Sequence, residues 1–377
     1  MKIESITLRQ LNMRLCVPFE TSFGVAQDRN ILLVETCADG IVGWGEMTVL
    51  EGPYFNSETT GTAWHVMHDF IAPLVVGTTI NHASEIPPLL ERIRGHEMAK
   101  AGVENSIWDI EAQQLGMSLS SLVGGSRREI ACGVSLGIQE SVSKLIATIE
   151  RELTSGYQRI KLKIKPGKDV DYVAAARARF PDIMLSVDAN AAYTTADTAH
   201  LQKLDAHKLL MIEQPLWWNE LFAHAQLQAQ LDTAICLDEC IQNARHAQAA
   251  IEMDACRIVN IKLGRVGGHS EAQRVHDVAQ KRCIPVWCGG MLESGIGRAH
   301  NIAMSSLPGF TLPGDISASR RYWEEDIIEP EVEVSPKGTT GVPDAPGLGF
   351  TPRIKLIEAL TVRKETWRHS VGVPVLG

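Results

Sequence analysis

The sequence predicts an α/β protein in which a closed barrel of βα units follows a smaller α+β lobe. From about residue 130, short β-branched apolar runs alternate with longer amphipathic stretches, the pattern of repeated βα units. Eight such runs can be counted, which is the number that closes a barrel. Charged residues end five successive runs at nearly constant intervals, about the length of one βα unit.

Composition and charge exclude several classes of protein. The chain has 377 residues, of which 45% are hydrophobic and 21% charged, so disorder is excluded for most of it. No stretch reaches the ~18 apolar residues of a membrane span. The N-terminus lacks the charged segment followed by an apolar segment that marks a signal peptide. We therefore expect a cytoplasmic protein with no membrane partner. The net charge of −9 leaves no basic surface for nucleic acid. The eight cysteines are too widely spaced in the chain for a disulfide framework and are expected to be reduced thiols.

The first lobe, residues 1–125, is predicted to be an α+β capping domain. Residues 3–8 alternate in polarity as a strand does, and the apolar runs 30–36 and 41–44 are separated by an Asp-Gly pair at 39–40, a hairpin signal. Apolar residues then recur at helical spacing over 58–75, 83–94 and 98–115. A small antiparallel sheet covered by helices is the expected result.

The second part, residues 126–320, is predicted to be the barrel. The rest, residues 321–377, is rich in proline and glycine turns with one late helix, and we expect it to return to the first lobe and complete it. The candidate barrel strands are residues 131–136, 159–164, 183–187, 209–212, 234–237, 257–261, 284–288 and 310–312.

Five charged residues stand where successive apolar strands stop. In a barrel of parallel strands the carboxyl ends meet at one mouth, where the active site is built. For any single Asp or Lys, a surface ion pair is the commoner explanation. Five residues in the same register indicate instead that five charged groups meet around one pocket. They are Lys163, Asp188, Glu213, Asp238 and Lys262, separated by 25, 25, 25 and 24 residues.

Asp188, Glu213 and Asp238 are predicted to bind a divalent metal ion. Like charges in a low-dielectric pocket repel each other, so three carboxylates from successive strands need a cation between them. Ligation by oxygen alone favours Mg²⁺, with Mn²⁺ as the alternative, over zinc or copper. No organic cofactor is expected.

Lysines flank these predicted ligands on both sides. Lys163 precedes them and Lys262 follows, so around a closed barrel the two stand on opposite sides of the metal. Lys161 points to the same face of its strand as Lys163, whereas Lys165 is expected to be a solvated loop residue. A lysine beside a metal and another ammonium has a lowered pKa and can act as a base. Such a site suits removal of the proton next to a carboxylate, which the metal and Lys161 would hold.

Nine short motifs distributed along the chain carry a resemblance to a known family. They are TSFG at 21–24, GWGE at 43–46, GVS at 133–135, KLK at 161–163, VDAN at 187–190, IEQPL at 212–216, LDE at 237–239, NIKLGRVGG at 260–268 and WCGGMLE at 287–293. Together they resemble the enolase superfamily, within it the muconate-lactonising subgroup, and most closely the o-succinylbenzoate synthase/N-acylamino acid racemase family. The resemblance covers essentially the whole chain.

The resemblance implies a (β/α)₇β TIM-like barrel capped by an α+β lobe, with Lys163 and Lys262 as the acid/base pair beside Mg²⁺. In the dehydration of a cyclohexadiene carboxylate for menaquinone synthesis, Lys163 would remove the α-proton and then help the β-hydroxyl leave. Lys262 would steady the intermediate as a cation. In the racemisation of an N-acylamino acid, such as an N-succinylamino acid, the two lysines would exchange the roles of base and acid.

Other residues take roles from the same resemblance. Arg265 matches a variant associated with members that also racemise, and its alternative is an ion pair at the barrel rim. The expected partner is a small-molecule carboxylate, and the resembled family makes a homo-oligomer the expectation. The residues expected to contact substrate are Ser135, Lys161 and Asn190, with Met291 and Leu292 on its apolar side.

Several alternatives stay open. Dipeptide epimerase and muconate cycloisomerase of the same superfamily use the same lysines and metal, and the motifs do not separate them. A lyase with a Schiff-base lysine would act on a carbonyl substrate and would survive metal removal. A non-catalytic barrel would tolerate the loss of Lys163 or Asp238. The motifs also do not decide whether synthase or racemase activity is the physiological one.

Overall fold

A computed structural model describes residues 1–369, and residues 370–377 of the predicted C-terminal segment lie outside the described residues. The strands are β1 (Ile3–Thr21), β2 (Gly24–Ala38), β3 (Ile41–Met47), β4 (Glu129–Ala131), β5 (Gly133–Leu136), β6 (Arg159–Lys163), β7 (Met184–Asp188), β8 (Ile212–Glu213), β9 (Ile235–Leu237), β10 (Ile258–Ile261), β11 (Val286–Cys288), β12 (Ile328–Glu329), β13 (Thr339–Gly341), β14 (Thr351–Pro352) and β15 (Thr361–Arg368). The α-helices are α1 (Thr60–Val66), α2 (Ala72–Val75), α3 (Ile86–Leu90), α4 (Glu97–Gln114), α5 (Leu119–Leu122), α6 (Val142–Thr154), α7 (Val170–Arg179), α8 (Thr198–Leu201), α9 (Leu221–Gln228), α10 (Ala244–Glu252), α11 (Leu263–Val266), α12 (His269–Lys281), α13 (Gly295–Ser305) and α14 (Ile354–Leu360).

The capping lobe is built on an antiparallel sheet in the order β15-β1-β2-β3. Asp39 and Gly40 adopt positive φ values of 48° and 76° and turn β2 into β3, as the Asp-Gly pair predicts. The β1-β2 hairpin extends to the Thr21/Gly24 pair, well beyond the predicted strands 3–8 and 30–36. That outer part is largely exposed on both faces, so it lacks the apolar alternation by which strands are recognised.

Helix α4 packs closely on this sheet because two glycines of β3 lie beneath it. A Cβ atom on Gly43 would collide with the carbonyl oxygen of Ser106, and one on Gly45 would collide with that of Gly102. Because these two glycines have no side chain, the backbones of α4 and β3 can approach each other closely. Strand β15 pairs with β1 from the other side, so the C-terminal segment completes the capping sheet.

The barrel contains seven parallel strands in the sequential order β5 to β11. The predicted eighth strand, residues 310–312, is not a regular strand. Instead, Phe310 bridges to Val286 of β11, and Gly314 bridges to Cys132 beside β5, so this segment joins the two sheet edges through single pairs. Pro313 lies between the two bridges and has no backbone N–H to continue a ladder.

Side chains rather than solvent fill the centre of the barrel. Met211, Cys236, Ile258 and Trp287 form a buried cluster there. The predicted fold class, a TIM-like barrel with an α+β cap completed by the C-terminal segment, is confirmed. The exact domain boundaries at 125/126 and 320/321 stay predictions.

Two buried carboxylates of the cap bind the first turns of barrel helices. Glu46, at the end of β3, accepts hydrogen bonds from the backbone N–H groups of Ser294 and Gly297 at the start of α13, each at 3.1 Å. Glu104 of α4 accepts from the backbone N–H of His269, at 2.7 Å, at the start of α12. These contacts fix the cap over the barrel mouth. Within residues 1–369, no helix is long and apolar enough to cross a membrane.

Candidate active site

The strand ends bring the five predicted charged residues to one mouth of the barrel. Lys163 and Asp188 are the last residues of β6 and β7 and are register partners. Glu213 ends β8 and is the register partner of Asp188. Asp238 and Lys262 directly follow β9 and β10. Because all five sit at the carboxyl ends of adjacent parallel strands, they converge as the spacing predicts.

Each predicted metal ligand lies within 2.8 Å of a lysine amine. All three carboxylates are buried, so these ion pairs are shielded from solvent. The partner of each charge offsets the cost of removing it from water. The pairs are Lys163 Nζ with Asp188 Oδ2 at 2.6 Å, Lys262 Nζ with Asp238 Oδ2 at 2.7 Å, and Lys161 Nζ with Glu213 Oε2 at 2.8 Å.

The negative charge of the carboxylate cluster is not fully compensated by its lysines. Burial, followed by the charge of Asp188, raises the pKa of Glu213 to about 7. Burial and the charge of Asp238 raise the pKa of Glu239 well above its usual range. Oε2 of Glu239 is also buried without a hydrogen-bond partner. An additional cation would relieve both the repulsion and the desolvation.

Magnesium fits this donor set by chemistry. Carboxylate oxygens from three adjacent strands are the hard ligands that Mg²⁺ prefers. Within residues 1–369, however, no three His, Cys, Asp or Glu side chains are arranged as metal ligands. In the described structure a lysine amine contacts one oxygen atom of each of the three carboxylates. Asp188, Glu213 and Asp238 therefore stay predicted ligands.

The carboxylates of the site set the pKa values of two of its lysines. Burial acts to lower the pKa of Lys262, but the charges of Asp238 and Glu239 outweigh it, so that pKa is raised. The pKa of Lys161 is raised well above its usual range for the same reason, with Asp315 as its leading partner. Both amines are therefore cations while they face these carboxylates.

A cavity of about 460 Å³ opens above the strand ends, between the barrel and the cap. Lys163 and Lys262 both line it, and the ring of Phe55 from the cap lies 4.3 Å from the Lys262 amine. Apolar side chains of the cap, Phe23 and Leu50 among them, close the opposite wall. The residues predicted to contact substrate also line the cavity, and they are Ser135, Lys161, Asn190, Met291 and Leu292.

The tip of the β1-β2 hairpin is fastened to the barrel mouth. Ser22 Oγ donates to the carbonyl oxygen of Asn190 at 3.1 Å, and the amine of Lys165 lies 2.9 Å from Glu20. Lys165 is the predicted loop residue and its side chain is 36% exposed, but its amine also pairs with the capping lobe. No sequence signal indicated this pair, since it depends on how far the hairpin reaches.

Arg265 is buried at the mouth of the barrel and contacts one of the predicted metal ligands. Its guanidinium pairs with Oδ1 of Asp238, whose other oxygen faces Lys262. It also donates to the carbonyl oxygens of Ile241 at 2.7 Å and Asn260 at 2.5 Å. Only 2% of Arg265 is exposed, so its ion pair with Asp238 is buried.

Asp315 belongs to the site and was missed in the sequence. It follows the eighth apolar run as Asp188 and Asp238 follow theirs, and it lines the cavity beside Lys161. The rule that charged residues follow strand ends would have found it, had it been applied to the last run. Arg159, two residues before Lys161, pairs with Asp315 in the barrel interior.

The fold and the site together define a capped-barrel enzyme with two lysines beside a carboxylate cluster. The chain belongs to the mandelate racemase/muconate lactonizing enzyme family of the enolase superfamily. Residues 2–124 match the family model "Mandelate racemase / muconate lactonizing enzyme, N-terminal domain". Residues 144–356 match "Enolase C-terminal domain-like".

Similar proteins extend over nearly the whole chain. An o-succinylbenzoate synthase of Geobacillus stearothermophilus is 49% identical over 95% of this chain and 96% of the relative. An N-succinylamino acid racemase of an Amycolatopsis species is 45% identical over 97% of this chain and 99% of the relative. A solved enolase-superfamily member from Listeria innocua, 39% identical, superposes with a TM-score of 0.94 and covers 97% and 99% of the two chains. The family resemblance of the sequence is confirmed.

Proposed function

We propose that this chain removes the proton α to a carboxylate in a Mg²⁺-dependent reaction, acting as an o-succinylbenzoate synthase, an N-succinylamino acid racemase or both. The observation that carries the proposal is the placement of Lys163 and Lys262 on one cavity, beside buried carboxylates at the ends of adjacent strands. The names of the two close relatives support the two reactions. Enolase-superfamily enzymes generally use Mg²⁺.

Asp188, Glu213 and Asp238 would hold the metal ion in this proposal. When bound, Mg²⁺ supplies positive charge that stabilises the negative charge developing on the substrate carboxylate. The metal would also take over the carboxylate oxygens that the lysine amines contact, which frees the amines for chemistry. Lys161 then contributes a fixed cation to the same carboxylate.

Lys163 is proposed as the base that takes the α-proton. Its amine contacts Asp188 Oδ2 and Asn190 Oδ1, both at 2.6 Å, and these contacts aim the side chain across the mouth. In the synthase reaction the neutral amine takes the α-proton, and the resulting ammonium returns a proton to the departing β-hydroxyl, which leaves as water. Proton and charge balance without a further reactant.

Lys262 is proposed to act in two ways. In dehydration it stays an ammonium and stabilises the anionic intermediate by charge. In racemisation it delivers a proton to the face of the α-carbon opposite Lys163, and it takes that proton when the reaction starts from the other enantiomer. The pairing of Lys262 with Asp238 and its cover by Phe55 keep it in a dry position.

The charges lining the cavity favour an N-acylated substrate over a free dipeptide. A dipeptide carries an ammonium that needs a carboxylate partner. Among the described residues that line the cavity, each acidic side chain already has a cationic partner. These pairs are Asp28 with Arg14 at 2.7 Å, Glu51 with Arg29 at 2.8 Å, and Asp315 with Lys161 at 2.8 Å.

A small-molecule carboxylate is the proposed substrate class for this cavity. A cytoplasmic location, the lack of nucleic-acid and membrane partners and a homo-oligomeric state stay predictions from the sequence. Gel filtration of the purified chain would test the last of these directly.

The test is an assay of the purified chain with the cyclohexadiene carboxylate precursor of o-succinylbenzoate and with N-succinylamino acids. We expect turnover of at least one substrate class with Mg²⁺, and its loss with EDTA. N-succinyl substrates should exchange the α-proton in D₂O, whereas a free dipeptide should not. Turnover that survives EDTA, together with trapping by borohydride, would support a Schiff-base lysine instead.

A further inference from the structure

Asp315 is a buried carboxylate at the substrate cavity for which the proposed mechanism has no role. Its backbone N–H donates to the carbonyl oxygen of Cys288 at 2.7 Å, and Gly314 before it bridges to Cys132. The residue is therefore fixed where the first and last strands of the barrel meet. Only 7% of it is exposed, and that part faces the cavity.

The two carboxylate oxygens of Asp315 have different partners. Oδ1 accepts a hydrogen bond from Arg159 Nη2 at 2.5 Å. Oδ2 accepts from Ser135 Oγ at 2.9 Å and lies 2.8 Å from the amine of Lys161. Arg159 thus orients the carboxylate through Oδ1, while Oδ2 contacts two side chains that line the cavity.

The amine of Lys161 is shared among three carboxylate neighbours. Glu213 Oε2 lies at 2.8 Å and Asp188 Oδ2 at 3.3 Å, and both residues are predicted metal ligands. Asp315 approaches from the side of the cavity away from those two strands. The ring of Trp287 lies 4.6 Å from the amine and closes the remaining side.

We propose that Asp315 is a positioning residue, which holds Lys161 and Ser135 toward the substrate carboxylate. This inference rests on the proposed function of the cavity. Without the charge of Asp315, only Asp188 and Glu213 attract the Lys161 ammonium, so the amine is no longer held on the side of the cavity where Ser135 lies. Because an ammonium is a point charge on a flexible stem, its position depends on the carboxylates around it.

The test is a double-mutant cycle read by the affinity for o-succinylbenzoate, measured by calorimetry without metal and again with Mg²⁺. Asp315→Asn keeps the shape and one acceptor oxygen, and we expect it to weaken binding by about tenfold, the usual scale for one charged hydrogen bond. In a Lys161→Met background the same change should weaken binding by less than about twofold, because Asp315 acts through Lys161. An equal loss in both backgrounds, or no loss in either, overturns the inference.

Two further variants separate positioning from folding. Arg159→Met with Asp315→Asn removes both buried charges together, so no arginine is left unpaired, and it should show the same weakened binding as Asp315→Asn alone. Asp326→Asn is the matched control, because Asp326 is a buried aspartate beside Arg298 and outside the cavity lining. It should lower the unfolding temperature and leave the affinity within about twofold.

The outcome also distinguishes this inference from the proposed function. If the wild-type chain neither converts nor binds these carboxylates, the proposed function is wrong. If the wild type converts and binds them, and Asp315→Asn has the same affinity and the same kcat/KM, the proposed function stands and only the role of Asp315 is wrong.

Discussion

Lys163 and Asp188, the last residues of two neighbouring parallel strands, are register partners whose charged groups lie 2.6 Å apart. This relationship places a potential base directly beside a predicted metal ligand. In the proposed function, a metal ion at Asp188 would compete with the Lys163 amine for the same carboxylate oxygen. The position of the proposed base and the proposed metal site therefore depend on one carboxylate.

Replacing Lys163 by alanine should abolish both reactions. Without the amine no group at that position can take the α-proton, and we expect kcat to fall by about 10³-fold or more, with the fold intact. Steady-state kinetics with both substrate classes and circular dichroism would measure this. Lys165→Ala is the matched control, since its half-exposed ion pair with Glu20 contributes about 0–1 kcal/mol, and kcat should stay within about threefold. Retained turnover in Lys163→Ala would contradict the assignment.

Lys262→Arg should separate the two reactions. Arginine keeps a cation beside Asp238 but cannot release its proton, because its pKa is far above the working pH. Dehydration, which needs only the charge, should keep measurable turnover, while racemisation should fall by about 10³-fold. Deuterium exchange at the α-carbon, measured separately for each enantiomer, is the sharper readout. If both reactions fell to the same extent, Lys262 would have the same role in each.

The metal assignment predicts a loss of stabilisation as well as activity. Mg²⁺ bound to the folded chain should raise the unfolding temperature of the wild type in proportion to its occupancy. Asp238→Asn should remove that rise and turnover together, whereas Asp171→Asn, an exposed acidic position on α7, should leave both unchanged. Differential scanning calorimetry with Mg²⁺ and with EDTA would measure the effect. An equal Mg²⁺ response in wild type and Asp238→Asn would place the ion elsewhere.

Much of the barrel and its charged residues could be predicted because both follow from periodicity. Apolar β-branched runs predict buried parallel strands, and a charged residue at the end of such a run lies at the mouth. This reasoning located Lys163 and Asp188, and it applies equally to Asp315. The eighth run was harder to assign, because Pro313 interrupts the hydrogen bonding of a segment whose composition still resembles a strand.

The cap could be predicted less completely, since its outer hairpin is not recognisable by burial. Nearly all of residues 14–28 are exposed or half-buried, so their strand conformation depends on pairing between β1 and β2 rather than on apolar alternation. Contacts between lobes, such as Glu20 with Lys165, join residues 145 positions apart and have no local signal. The pKa shifts of the lysines have no local signal in the sequence either, because they depend on how many carboxylates face each amine.

The contact between Glu46 and helix α13 predicts a specific pH dependence of stability. Glu46 is buried, and this burial raises its pKa to about 8 despite hydrogen bonds from Ser294 and Gly297. An unfolded glutamate titrates near ~4.3, so between these values the folded chain binds more protons than the unfolded chain. The stabilising contribution of Glu46 is therefore fully present below about pH 4 and is lost as the pH rises through about 8.

Glu46→Gln keeps an acceptor oxygen for the helix start and removes the titration. The free energy of unfolding of this variant, relative to wild type, should increase between pH 5 and pH 8 by on the order of 3.5 kcal/mol. Urea unfolding at several pH values, with EDTA present, would measure the difference. Other raised carboxyl groups, such as Glu58, contribute equally to both proteins and cancel. Glu333→Gln, at an exposed position, should give no such change, and a pH-independent difference for Glu46→Gln would show that this carboxyl is ionised throughout.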